Sequence, residues 1–97
     1  MKNCLTIAGS DCSGGAGIQA DIKTFSALGC YGMSVITSVF AENTHALLSS
    51  MSVSQDVIAD QLEAVFSDIR VDAVKIGVLP DTGAMRAAVS YTHLRAH

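Results

Sequence analysis

The chain has 97 residues, of which 49% are hydrophobic and 15% charged, with a formal net charge of -3 at pH 7. This composition is typical of one folded domain or part of one and excludes a disordered chain. The acidic balance and the few aromatic residues, three Phe and two Tyr, argue against a nucleic-acid partner, which needs a basic surface and stacking platforms.

No apolar run reaches the roughly 18 residues of a membrane span, and no basic leader precedes a cleavage site. We therefore expect a cytoplasmic protein without a membrane partner. The cysteines, Cys4, Cys12 and Cys30, form no CxxC pair, so free thiols in a reducing compartment are predicted. The three histidines do not cluster with them in sequence, and no metal site is predicted.

The first predicted strand is the apolar run CLTIA, residues 4–8, which ends at Gly9 in the manner of a strand buried on both faces. A glycine-rich loop, GSDCSGGAG, occupies residues 9–17. After it, apolar residues recur three or four positions apart and predict a helix that Gly29 terminates: Ile18, Ile22, Phe25 and Leu28.

The second predicted strand is SVITSVFA, residues 34–41, because it is rich in β-branched residues, and Glu42 follows its carboxyl end. We expect a loop over THALLSSMSV, residues 44–53. Ser54 then caps a second helix with one apolar stripe: Ile58, Leu62, Val65 and Ile69.

The third predicted strand is AVKIG, residues 73–77, and a further helix begins at Asp81. Strands that alternate with helices indicate an α/β layer architecture with right-handed crossovers. In a parallel sheet the ligand lies beyond the carboxyl ends of the strands. The segments after the three strands, which contain Gly9, Glu42 and Gly77, are therefore predicted to converge on one site.

The glycine-rich loop has two interpretations that the residues alone leave open. It is not a Walker A loop, because no Lys-Ser or Lys-Thr follows its last glycine, and its spacing fits GxGxxG poorly. The glycines either allow a tight turn from strand to helix, or they let a small substrate lie directly against the main chain.

Three segments carry a resemblance to a known family: TIAGSDCSGGAGIQADIKTFSALGCYGMSVIT, AENT and QLEAVFSDIRVDAVKIG. From about residue 5 to residue 89 the chain resembles the amino-terminal part of the hydroxymethylpyrimidine/phosphomethylpyrimidine kinases of thiamine biosynthesis, in the ribokinase superfamily. The resemblance implies a three-layer, doubly wound α/β fold with a mainly parallel sheet. It also implies magnesium-assisted, ATP-dependent phosphorylation of 4-amino-5-hydroxymethyl-2-methylpyrimidine and then of its monophosphate.

The same resemblance implies that the loop and the helix after it form part of a pocket for the flat pyrimidine. It assigns substrate-binding roles to five residues: Gly9 through its backbone, Asp21 as a polar contact, and Phe40, Glu42 and Val78. Without the resemblance, Asp21 is predicted to be an exposed helix carboxylate. Asp11 and Lys23 are predicted to be loop and surface groups.

Glu42 departs from the family, which usually has glutamine there. A glutamine amide both accepts and donates hydrogen bonds, whereas an ionised glutamate only accepts. Because apolar residues precede Glu42, we expect partial desolvation to raise its pKa, so that it can share a proton with the ring. Some relatives phosphorylate pyridoxal, pyridoxine or pyridoxamine, so a vitamin B6 kinase is the alternative. Val78 stands where methionine is common.

The family's chain is far longer, and its anion hole, catalytic residue and nucleotide site lie downstream of this sequence. We therefore expect no catalytic residue here, and an inactive chain unless the full-length parent supplies its sites for ATP and Mg²⁺. Residues 1–89 are predicted to be the N-terminal part of the kinase domain, and residues 90–97 a foreign or divergent tail. The parent is expected to be a homo-oligomer. A non-catalytic pyrimidine-binding module is the alternative from another functional class.

Overall fold

The computed structural model describes residues 1–77 and residue 86. The predicted helix from Asp81, the predicted site residue Val78 and the predicted boundary at residue 89 lie outside the described residues. No helix within the described part of the chain has the length and apolarity needed to cross a bilayer.

Four strands form one sheet in the order β3-β2-β1-β4: β1 (Asn3–Asp11), β2 (Tyr31–Glu42), β3 (Leu47–Ser52) and β4 (Ala73–Ile76). The central strand β1 pairs in parallel with β2 and β4, whereas β3 pairs antiparallel with β2. The three predicted strands are therefore present, and the mainly parallel α/β sheet is confirmed.

The prediction of a loop over residues 44–53 was wrong, because β3 lies within it. All six residues of β3 are exposed, so neither of its faces shows the hydrophobic pattern that marks a half-buried strand. The strand forms because the last residues of β2 offer a free edge, with Val39 paired to Met51. Tertiary pairing outweighs the loop-like composition of this segment.

Two helices cover opposite faces of the sheet: α1 (Gly17–Ala27) and α2 (Gln55–Phe66). Side chains alternate between the faces of a strand. On β1, Thr6 contacts Asp21 of α1, whereas its neighbours pack with α2 in the main buried cluster, which contains Leu5, Ile7, Met33, Val35, Ile58 and Leu62. Helix, sheet and helix make the three layers that the family resemblance implied.

The helix ends largely follow the sequence signals. The hydroxyl of Ser54 accepts a hydrogen bond of 3.3 Å from the backbone N–H of Val57, so this N-cap prediction is confirmed. After α1, Gly29 adopts a φ of 77°, a conformation that glycine favours at helix ends. Leu28, predicted on the apolar face of α1, is instead 74% exposed, because it lies beyond the last helical residue.

A side chain of α2 takes the place of a neighbouring strand beside Ile36. The ladder between β2 and β3 begins at Ser38. At Ile36, the Gln61 carbonyl oxygen accepts from the backbone N–H at 2.8 Å, and the Gln61 amide donates to the backbone carbonyl at 2.9 Å. The amide of Gln61 thus satisfies both main-chain groups of one residue.

Candidate functional site

A cavity of about 330 Å³ lies where the carboxyl ends of β1, β2 and β4 meet the start of α1. Its lining residues are Ala8, Gly9, Ala16, Gly17, Asp21, Phe40, Glu42, Lys75 and Gly77. Four of the five predicted site residues thus share one cavity, and the fifth, Val78, is outside the described residues. The predicted convergence of the three strand ends is observed.

A second concavity, of about 400 Å³, lies near the amino ends of β1 and β4 and contains none of the predicted site residues. It is lined by Met1, Lys2, Asn3, Arg70 and Asp72. Ligands of parallel α/β sheets bind beyond the carboxyl ends of the strands. The smaller cavity at the carboxyl ends is therefore the better candidate for the substrate site.

Two glycines of the loop are required by close packing at the cavity. A Cβ at Gly9 would lie 2.5 Å from Cε2 of Phe40 and 2.9 Å from the hydroxyl of Ser38. Gly17 has a φ of 61°, and a Cβ there would overlap the carbonyl oxygen of Gly9. The tight-turn interpretation accounts for Gly17, whereas close packing against Phe40 and Ser38 of β2 accounts for Gly9, whose main chain also borders the cavity.

Asp11 was predicted to be a surface group, but it is only 5% exposed. Its carboxylate accepts hydrogen bonds from the Ser13 hydroxyl at 2.6 Å, the Ser13 N–H at 2.9 Å and the Gly15 N–H at 3.1 Å. The Ser13 hydroxyl is the main cause of a lowered pKa of Asp11, and backbone N–H groups lower it further against the opposing effect of burial. Asp11 therefore organises the loop, whereas Lys23 is exposed as predicted. The signal for Asp11 was an aspartate two residues before a serine, as in an Asx-turn.

Asp21 is not the exposed carboxylate that the sequence alone indicated, since its side chain is only 12% exposed. One carboxylate oxygen accepts from the Thr6 hydroxyl at 2.6 Å, and the other accepts from the Lys75 ammonium at 2.6 Å. Burial acts to raise the pKa of Asp21, but the hydrogen bonds from Lys75 and Thr6 and the Lys75 charge hold it below its ordinary value. Asp21 is therefore an ionised group on the cavity wall.

Neither partner of Asp21, Thr6 or Lys75, was predicted as a site residue from the sequence. The available signal was a polar residue inside an apolar strand, since Thr6 interrupts CLTIA and Lys75 interrupts AVKIG. Thr6 is fully buried and therefore requires a hydrogen-bond partner, whereas the Lys75 side chain is 56% exposed, so its position in an apolar strand was the weaker signal.

Glu42 ends β2 and is held at its backbone by Cys12. The thiol of Cys12 donates to the Glu42 carbonyl at 3.0 Å and accepts from the Glu42 N–H at 3.4 Å. Desolvation raises the pKa of Glu42, as expected from the sequence. The negative charge of Asp11 and a hydrogen bond between the two side chains raise it further. Glu42 is therefore the cavity carboxyl group that takes up a proton more readily than an ordinary glutamate.

Among residues 1–77 and 86, no group of three His, Cys, Asp or Glu side chains lies close enough to hold a metal ion. The expectation that ATP and Mg²⁺ are held by parts of the full-length parent downstream of this sequence stays a prediction.

The sequence pattern of the phosphomethylpyrimidine kinase family matches residues 11–97. The chain belongs to this family. It is 58% identical over 85 residues to the hydroxymethylpyrimidine/phosphomethylpyrimidine kinase of Escherichia coli (strain K12). The matched region covers 88% of this chain and 32% of that protein. The chain thus spans about a third of the length of that relative.

Solved structures of related kinases share the fold. The phosphomethylpyrimidine kinase of Clostridium difficile 630 matches with a TM-score of 0.93 and 48% identity, over 98% of this chain and 41% of that one. The Bacillus subtilis pyridoxal kinase in an ADP complex matches with a TM-score of 0.90 and 39% identity, over 98% of this chain and 38% of that one. The family and the fold class inferred from the sequence are confirmed.

Proposed function

We propose that the full-length protein containing this chain catalyses ATP-dependent phosphorylation of 4-amino-5-hydroxymethyl-2-methylpyrimidine and then of its monophosphate, in thiamine diphosphate biosynthesis. The observation that carries this proposal is one cavity lined by Gly9, Asp21, Phe40 and Glu42 in a chain of the phosphomethylpyrimidine kinase family.

The chemistry of the cavity suits a flat ring with an exocyclic amine. The main chain at Gly9 and the ring of Phe40 offer an apolar surface for one face of the pyrimidine. Because its pKa is raised, Glu42 can share a proton with a ring nitrogen while its second oxygen accepts from the amino group. The ionised carboxylate of Asp21 accepts from a further donor of the substrate. Together these groups orient the hydroxymethyl group for reaction.

Phosphoryl transfer requires groups that we assign to the rest of the full-length protein. ATP supplies the phosphoryl group, and Mg²⁺ neutralises its developing charge. The residues of this chain bind the acceptor and hold it in place, and the chain alone is proposed to be inactive. The proposal also includes a cytoplasmic location, supported by three free cysteines, and a homo-oligomer, supported by the exposed apolar side chains of β3.

A vitamin B6 kinase is the second candidate, and Glu42 is the residue that favours it, because the thiamine-pathway kinases usually have glutamine there. The pyridoxal kinase of Staphylococcus aureus, solved with pyridoxal, matches this chain with a TM-score of 0.89 and 38% identity. The identity to the Escherichia coli hydroxymethylpyrimidine kinase is higher, at 58%. The pyrimidine is therefore the substrate we propose.

The test uses a full-length kinase in which residues 1–77 form the N-terminal part and the Escherichia coli relative supplies the rest. We expect ATP-dependent turnover of the hydroxymethylpyrimidine that exceeds turnover of pyridoxal at equal concentration. Turnover of pyridoxal alone would contradict the pyrimidine assignment. Binding of the pyrimidine without turnover of either compound would favour the non-catalytic binding module.

A further inference from the structure

We propose that Lys75 is a positioning residue: together with Thr6 it locks the Asp21 carboxylate against the cavity, so that the substrate meets a fixed anionic acceptor. The identity of the substrate rests on the proposed function, whereas the locking of Asp21 rests on the geometry of three elements.

The geometry brings three elements to one carboxylate. Thr6 of β1 and Lys75 of β4 are direct partners in the parallel ladder, so their side chains lie side by side on the face that α1 covers. Each contacts a different oxygen of Asp21, both at 2.6 Å. Rotation of the carboxylate would break both hydrogen bonds. The orientation of Asp21 is therefore fixed from two directions.

Among the described charged groups near Asp21, Lys75 is the one that stabilises the ionised carboxylate. Glu42 of β2 lines the same cavity, and Asp11 at the end of β1 acts on Glu42. On α1 itself, Lys23 turns away and donates to the Gly14 carbonyl at 3.0 Å. Among the described residues, Lys75 brings the one positive charge that acts on Asp21, and together with the hydrogen bond from Thr6 it offsets the cost of burying the Asp21 carboxylate.

Removing the ammonium therefore has a pH-dependent consequence. Without Lys75, burial dominates and the pKa of Asp21 rises above its present, lowered value. As the pH falls through that raised pKa, Asp21 takes up a proton and loses its character as an acceptor. The loss of substrate affinity is thus largest at acidic pH and smallest at alkaline pH.

The first measurement needs no substrate. In the full-length kinase described above, the carboxyl carbon of Asp21 is titrated by NMR in Lys75→Met, in Lys75→Arg and in the control Lys2→Met, which removes an exposed ammonium at the opposite end of β1. We expect a raised pKa in Lys75→Met, restoration in Lys75→Arg and no change in Lys2→Met. An unchanged pKa of Asp21 in Lys75→Met overturns the proposal.

The second measurement is the affinity for the hydroxymethylpyrimidine as a function of pH. We expect Lys75→Met to weaken binding about tenfold or more at acidic pH, with partial recovery at alkaline pH and rescue by Lys75→Arg. A loss that is equal at every pH indicates a purely structural role and overturns the proposal.

The Thr6→Val variant and pyrimidine binding by the unsubstituted kinase give two further tests. If Lys75→Met does not fold, Thr6→Val removes the second hydrogen bond at nearly constant volume, and a raised pKa of Asp21 in that variant is expected. An unchanged pKa there counts against the lock. If the unsubstituted kinase does not bind the pyrimidine while the NMR coupling persists, the proposed function fails and the lock on Asp21 stands.

Discussion

At the level of single residues, we expect the protonation state of Glu42 to control binding of the pyrimidine ring. Its pKa is raised, so the acid form that donates to a ring nitrogen persists to higher pH and is lost as the pH rises through that pKa. In the full-length kinase, Glu42→Gln should keep pyrimidine binding and should bind more tightly than the unsubstituted kinase at pH values above the Glu42 pKa, because an amide does not titrate. Glu42→Ala should weaken binding about tenfold or more.

Calorimetric affinities across the pH range for the three proteins check this prediction. Equal affinities for the unsubstituted kinase and Glu42→Ala would remove Glu42 from the site.

The sequence, through its family resemblance, could place Glu42 and Asp21 at the site. It could not reveal that Lys75 contacts Asp21, because the two lie 54 positions apart and their contact depends on the pairing of β1 with β4.

At the level of elements, the turn from β1 into α1 depends on Gly17. Both Gly17 and Gly29 have positive φ, but a Cβ at Gly17 would overlap the Gly9 carbonyl, whereas none of the described atoms lies within 4 Å of one at Gly29. Gly29→Ala should therefore cost only the backbone penalty, roughly 1–2 kcal/mol. Gly17→Ala should cost more, by roughly a further 1–3 kcal/mol.

Urea unfolding of the two variants in the full-length kinase measures this difference, with Gly29→Ala as the matched control. Equal losses of unfolding free energy would show that the overlap with Gly9 is relieved without cost. Of the elements, β1, α1, β2, α2 and β4 were predictable because each carries an apolar pattern in its sequence, although β4 is largely exposed in the structure. The exposed strand β3 was not, since only its pairing with β2 defines it.

At the level of the whole molecule, the sheet presents exposed apolar side chains on an edge strand. Leu47, Leu48 and Met51 of β3 are 57%, 76% and 64% exposed, and an exposed edge of this kind invites pairing with other chains. We expect the 97 residues expressed alone to aggregate or to form a molten state, and Leu48→Lys to reduce the aggregation. Light scattering and thermal unfolding at several protein concentrations provide the measurement. A soluble monomer with cooperative, concentration-independent unfolding would contradict this expectation.

The contact between Gln61 and Ile36 has a consequence for how the layers are aligned. Apolar packing alone lets a helix shift or rotate on a sheet at modest cost in free energy. Apolar side chains can pack in several neighbouring arrangements of nearly equal energy. A side-chain amide that meets one N–H and one carbonyl of a single residue has no such freedom, since its two bonds of 2.8 and 2.9 Å fit one position. Gln61 therefore fixes the position of α2 along β2.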